Sequence, residues 1–206
     1  PQNVTRRLSS EITHQNLGGG EFSLPSSEHP LPFSGSSHGN PRLALRDVDG
    51  DGDLDAIASG GGISWSENLD GAGTFSPPQS ITGGDALRAA FDLVDLDADG
   101  DLDALAGGTA SDGFALLAWY ENLDGNGSFG SRRTIARATA LGVSMLRGAD
   151  VDGDGDPDVV ALSAIDDRIS WFENLDGLGT FGTQHVMFDL PDTYGTYDDP
   201  TYIDVG

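Results

Sequence analysis

An all-β fold of repeated four-stranded antiparallel units is what this sequence predicts. Three observations predict it: two motifs that alternate three times, a regular spacing between their copies, and 30 Gly with 10 Pro in 206 residues. That density of turn formers implies many short strands rather than long helices. A motif pair recurring in register identifies a repeat architecture.

The elements of one unit follow in order. Leu43 to Arg46 reads as a first strand leading into the acidic loop Asp47-Val-Asp-Gly-Asp-Gly-Asp-Leu-Asp55. The loop recurs as Asp95 to Asp103 and Asp150 to Asp158, starting 48 and 55 residues apart. The runs that leave it are small and apolar: Ala56-Ile-Ala, Ala104-Leu-Ala and Val159-Val-Ala-Leu162. Such runs suit inner strands covered on both faces. Ile63-Ser-Trp65-Ser alternates with period two, so Ile63 and Trp65 share one face. Asp70-Gly71 then turns the chain into a hairpin, with a fourth strand expected from about Phe75 to Ile81. This second motif recurs as Trp119 to Phe129 and Trp171 to Phe181, always with ten residues from Trp to Phe. Four short antiparallel strands in about 40–50 residues make a β-propeller blade.

Both ends carry fragments of the pattern. Gln15-Asn-Leu-Gly-Gly-Gly-Glu-Phe22 is a shortened copy of the hairpin, and Asp204-Val205-Gly206 opens another acidic loop. The expected divisions are a partial blade over 1–36, blades over 37–85, 86–140 and 141–190, and the start of a further blade over 191–206. These pieces come to about four blade equivalents, which reads as a segment of a larger propeller. The opening on Pro1 rather than Met fits a processed product or an excised piece.

Charge narrows the function. The formal net charge is -24, and every one of the 10 bases is Arg. Phosphate contacts need Lys and Arg in excess, so nucleic-acid binding is excluded. No run of 18 apolar residues spans a membrane. Without Cys there are no disulfides, zinc-thiolate sites or thiol nucleophiles. The acids are clustered and the hydrophobic fraction is 37%, which opposes disorder.

The clusters carry the chemistry. Asp47, Asp49, Asp51 and Asp55 stand at loop positions 1, 3, 5 and 9, with Gly52 at 6, and the main-chain carbonyl of Asp53 at 7 can add a ligand. Oxygen donors at this spacing wrap a hard cation, and calcium accepts six to eight of them. The ninth residue opens a strand, with no exiting helix and no Glu at position 12, so the loop is not an EF-hand. Asp95, Asp97, Asp99, Asp101 and Asp103 repeat the set, as do Asp150, Asp152, Asp154, Asp156 and Asp158. Five like charges in nine residues repel unless a cation sits among them. About three calcium ions per chain are expected; magnesium, which rarely uses all-protein cages, fits less well.

The Asp-x-Asp-x-Asp-Gly-x-x-Asp loop between blade strands resembles the FG-GAP (VCBS-type) repeat of integrin α-subunit propellers and of secreted microbial and algal proteins. The resemblance covers residues 40–190 well and both ends weakly. It implies a calcium-stabilised propeller, usually seven-bladed, outside the cell, in adhesion or polysaccharide handling. The Phe-Gly and Gly-Ala-Pro signatures of that family are replaced here by Gly-Thr-Phe75, Gly-Ser-Phe129-Gly and Gly-Thr-Phe181-Gly.

Other candidates are weaker. His14, His29, His38 and His185 lie apart without metal-binding spacing. Trp65, Trp119 and Trp171 read as blade core before sugar platforms, because their place in the repeat is fixed. Calcium-bound Asp is a poor general acid, so glycosidase chemistry is unsupported. Asn3 and Asn126 fit the glycosylation pattern, which permits an extracellular setting. The expected function is therefore a non-catalytic, calcium-binding extracellular module for adhesion or structural assembly. Its expected partners are a protein, a glycan, neighbouring copies or the rest of a longer chain. The rival is a propeller of a secreted polysaccharide lyase-like enzyme or a lectin, which would need clustered His, Tyr and Arg. Only the tail Tyr194, Tyr197 and Tyr202 offers anything similar, without an adjacent His. From the last loop Asp to the Trp the connection varies over 10, 16 and 13 residues; the longest, Gly107 to Phe114, reads first as a longer solvated loop with Phe114 tucked into its own blade and second as a partner contact.

Overall fold

A computed structural model describes residues 42–189, apart from 84–86, 88–89, 111, 139–141 and 164–166. The readings made on Gln15–Phe22, Tyr194 to Tyr202 and Asp204 lie outside the described residues. Twelve strands form three sheets and no helix occurs among the described residues. The first sheet is β1 (Leu43–Arg46), β2 (Asp55–Ser59), β3 (Ile63–Ser66) and β4 (Gln79–Ser80). The second is β5 (Ala90–Val94), β6 (Asp103–Thr109), β7 (Ala115–Tyr120) and β8 (Arg133–Ala138). The third is β9 (Val143–Ala149), β10 (Asp158–Ser163), β11 (Arg168–Phe172) and β12 (His185–Asp189). Strands pair antiparallel in sequence order within each sheet, so each is a β-propeller blade.

The strands that follow the acidic loops, β2, β6 and β10, are buried almost throughout, as their small apolar runs require. Ile63 and Trp65 do share a face. They join Phe91, Leu93 and Leu116 in a core between the first and second sheets. A second core, with Leu105, Leu117, Trp119, Leu146 and Val159, lies between the second and third. Blades thus bury apolar faces against neighbouring blades, as in a quasi-one-dimensional array, and the third adds a small cluster of its own around Met145, Val160 and Leu162.

The fourth strand of the first blade is shorter than the expected Phe75-to-Ile81 run. Phe75 makes only an isolated bridge to Asn68, and β4 itself is Gln79–Ser80. Pairing begins opposite the repeat Trp in every blade, Trp65 with Gln79, Trp119 with Arg133 and Trp171 with His185, so Pro77 and Pro78 do not set where it starts. From that shared start β8 and β12 run further along the longer β7 and β11, whereas β4 ends near the start of β3 at Ile63.

In such a meander the β1–β2 and β3–β4 turns fall at one end of the sheet and the β2–β3 turn at the other. Acidic loops and Asp-Gly hairpins therefore share one end of every blade. The variable connections occupy the opposite end, where Phe114 is 40% exposed. Its ring lies under the Arg137 guanidinium at 4.9 Å, and Arg137 also pairs with Asp112.

Candidate metal centres

The loop glycines set the turn. Gly52, Gly100 and Gly155 have φ of 96°, 98° and 100°, and their N–H groups donate to the first-position carboxylates of Asp47, Asp95 and Asp150. Only a residue without Cβ adopts this conformation cheaply. The fifth-position carboxylates fold back locally: Asp51, Asp99 and Asp154 each accept the N–H two residues on. These short-range bonds curl nine residues into a cup.

Three carboxylates meet in each cup. Asp47, Asp49 and Asp55 bring oxygens within 4.8 Å of one another, and so do Asp95, Asp97 and Asp99, and Asp150, Asp152 and Asp158. The first and third loops thus gather positions 1, 3 and 9, and the second gathers 1, 3 and 5. Asp51, Asp103 and Asp154 stand beside these groups in their loops without joining them at that distance. The seventh-position side chains go elsewhere. A Cβ on hairpin Gly71 would stand 2.5 Å from Asp53 Oδ1, and Gly125 and Gly177 meet Asp101 and Asp156 in the same way. The carboxylates of Asp53, Asp101 and Asp156 therefore lie against the hairpin turns. An ion would have the main-chain carbonyls of these residues to draw on, the role the sequence assigns them.

Position nine has a second task. Asp55 accepts N–H bonds from Val48 at 2.9 Å and from Asn68 at 2.8 Å, tying loop to hairpin. Asp103 does so with Leu96 and Asn122, and Asp158 with Val151 and Asn174. Burial is the first cause that pushes the Asp55, Asp103 and Asp158 carboxyls up, and Asp103 reaches about 7. Burial also raises Asp49 and Asp97, and neighbouring carboxylates add to it. Each shift records a charged form lacking compensation.

The residues fit a hard divalent cation. Asp47 Oδ1, Asp95 Oδ1 and Asp97 Oδ1 are buried without a hydrogen-bond partner among the described residues. Buried polar atoms are normally satisfied, so these oxygens are placed for a ligand the protein itself does not supply. An all-oxygen donor set selects calcium over softer metals. Once bound, the ion supplies positive charge and oxygen cross-linking; the chain supplies the cup, its glycine turn and the ninth-position anchor.

Of the four histidines only His185 lies among the described residues; His14, His29 and His38 lie outside them. Trp65 and Trp119 are 1% exposed, in blade cores. Trp171 is half-buried and contacts His185, ring to ring, at 4.9 Å. Sequence reasoning missed the hairpin asparagines Asn68, Asn122 and Asn174, all buried. Their signal was present: an Asn three places after each Trp, always between a Glu and a Leu.

Successive four-stranded blades with an acidic loop at one end define a β-propeller repeat protein. The model of the FG-GAP-like repeat matches twice, over residues 47–106 and 95–161, together more than half of the chain. The chain belongs to the FG-GAP-like repeat family. Among solved structures it is similar to a lectin of Agrocybe aegerita, described as recognising non-reducing terminal N-acetylglucosamine, with 24% identity and a TM-score of 0.56. The alignment covers 85% of this chain and 46% of that one, so the chain spans less than half the lectin's length. That likeness establishes the propeller fold. No curated protein matches the chain. Among the described residues no helix is long and apolar enough to cross a membrane.

Proposed function

We propose that this chain is a calcium-binding, non-catalytic module of an extracellular β-propeller, serving adhesion or structural assembly through protein or glycan contact. One observation carries the reading. In all three acidic loops three carboxylates converge within 4.8 Å, and in the first two some of their oxygens are buried and unsatisfied. Carboxylates committed to a cation stay ionised and make poor proton donors, which favours a structural role over catalysis. The ions would bind the folded cups far better than the unfolded chain, so folding and binding are linked. At 100 times the dissociation constant each site adds about 2.7 kcal/mol.

Thermal unfolding with calcium, magnesium or chelator, beside direct metal analysis, tests this. Chelation should lower Tm markedly, magnesium should restore little, and about three ions should bind per chain. Superimposable melts with and without calcium would remove the assignment.

The propeller likeness to a lectin supports a glycan as the partner class. The Phe114, Arg137 and Asp112 group, an exposed ring beside a charged pair at the variable end, is a suitable contact for a sugar. A glycan array run with calcium-loaded protein, beside an assay for polysaccharide cleavage, separates module, lectin and enzyme.

A further inference from the structure

Two of the hairpin asparagines, Asn122 and Asn174, each touch two acidic loops at once. The main-chain N–H of Asn122 donates to Asp103 Oδ1 in its own blade at 2.9 Å. Its Nδ2 donates across the blade boundary to the Val48 carbonyl at 3.0 Å, between the first and third positions of the preceding loop. Asn174 repeats the arrangement one blade on, donating to Asp158 Oδ1 at 2.8 Å and to the Leu96 carbonyl at 2.9 Å. The amide orientations are fixed, because Asn122 Oδ1 accepts from Gly127 and Asn174 Oδ1 from Gly179.

The receiving residues close the chain of bonds. Val48 donates its N–H to Asp55 Oδ2, and Leu96 donates its own to Asp103 Oδ2. An uninterrupted hydrogen-bonded path therefore runs from the first loop to the second through Asn122, and from the second to the third through Asn174. Val48, Leu96, Asp103, Asn122 and Asn174 are all essentially inaccessible to water. In that setting hydrogen bonds are strong and an unpaired member is costly, so neighbouring members move together.

We propose that Asn122 and Asn174 are positioning residues that couple the three cation sites, an ion in one loop raising the affinity of the loop in the adjacent blade. The inference rests on reading the loops as calcium sites. Val48 lies between two ligand residues, so an ion that fixes Asp47 and Asp49 also fixes the carbonyl that holds Asn122. Asn122 in turn holds Asp103 and the hairpin over the second loop. The order that one ion imposes is then already present when the next binds. Such coupling is reciprocal by linkage. Among the described residues the first and third loops share no asparagine, so their coupling runs through the second.

Calcium titration of the full chain followed by two-dimensional amide NMR tests this. Gly52, Gly100 and Gly155 provide one reporter per loop. Asp49→Asn weakens the first site while keeping its local hydrogen bonds and both asparagines. It should raise the dissociation constant of the second loop about five-fold or more, the lower end of usual coupling, and move the third loop less. Asp152→Asn should do the same to the second loop from the other side. Asn122→Ala should weaken the first two loops and cancel the effect of Asp49→Asn on the second. If Asn122→Ala does not fold, the two aspartate variants decide alone. Second-loop constants that ignore both neighbours overturn the coupling while leaving the calcium sites standing. Glycine signals that ignore calcium altogether overturn the site reading, and the coupling with it.

Discussion

Gly127→Ala is the sharpest test of how the blades are joined. Gly127 sits at φ 79°, and a Cβ there would overlap Cζ2 of Trp65, the fully buried tryptophan of the preceding blade. Two costs follow. A left-handed conformation disfavours a residue with a Cβ by about 1–2 kcal/mol. Forcing a methyl into a filled core adds about 1–3 kcal/mol, since the indole must shift against neighbours that cannot give. Gly73 provides the control: its φ is 96°, but among the described residues no atom lies within 4 Å of its Cβ position. Gly73→Ala should therefore show the backbone term alone. The difference between the two variants, about 1–3 kcal/mol, corresponds to about 2–12 °C in Tm for a chain of this size. Thermal melts of both variants in saturating calcium measure it. Gly127→Ala made on a Trp65→Ala background should cost no more than Gly73→Ala. If the two glycine variants melt together in the parent background, the Trp-on-glycine contact does not hold the blades.

Asp99→Ala removes one of the three converging carboxylates of the second loop; metal analysis at saturating calcium should count two ions rather than three. Ala98 occupies the left-handed region at φ 61°, where the other two loops have Gly50 and Gly153. Ala98→Gly should relieve that strain, less the greater freedom of Gly in the unfolded chain, for a gain of up to about 1 kcal/mol in denaturant unfolding. In calcium-free buffer the melting temperature should rise as pH falls from 8 to 5. The folded Asp103 carboxyl is raised to about 7 from 3.8, so its contribution is full below about 4 and is lost as pH climbs through 7. The depressed carboxyls of Asp70, Asp124 and Asp176 act only below about 4, since hydrogen bonds hold them ionised above it. In excess calcium the trend should reverse, because protons then compete with the ion. A calcium-free melting temperature that falls on acidification from 8 to 5 would contradict the burial of Asp103.

The blades were legible because two motifs repeat in register, and a repeat must bury its faces against its neighbours. Strand order, the buried second strands and the convergence of positions 1 and 3 in each loop all follow from that pattern. The remaining details depend on contacts between residues far apart in the chain. The early end of β4 follows from the short β3 it pairs with, which shows only in their register. The ninth-position aspartates read as ligands by spacing, and Asp55 and Asp158 do join their groups; their second task, accepting loop and hairpin amides on both oxygens, shows only in the fold.

Position four explains why three near-identical loops differ. In the first and third loops Gly50 and Gly153 precede a residue whose N–H donates to the third-position carboxylate, Asp51 to Asp49 and Asp154 to Asp152. In the second, Ala98 holds that place, and Asp97 Oδ1 is buried with no partner among the described residues. Its carboxyl is also pushed up by burial and by Asp99, Glu121 and Asp95, against a smaller lowering by the Asp99 N–H. The second cup therefore leaves more of its oxygen charge uncompensated than the other two. A cation gains most where anionic oxygen is buried and unpaired, because binding there also removes a desolvation cost. The second loop should accordingly bind calcium most tightly. In the amide titration Gly100 should reach its bound position at lower calcium than Gly52 or Gly155. Ala98→Gly should narrow that gap by letting the Asp99 N–H close on Asp97 Oδ1 as the Asp51 N–H does on Asp49. A titration in which Gly100 moves last would show that strain at Ala98, rather than the unpaired oxygen, sets the order.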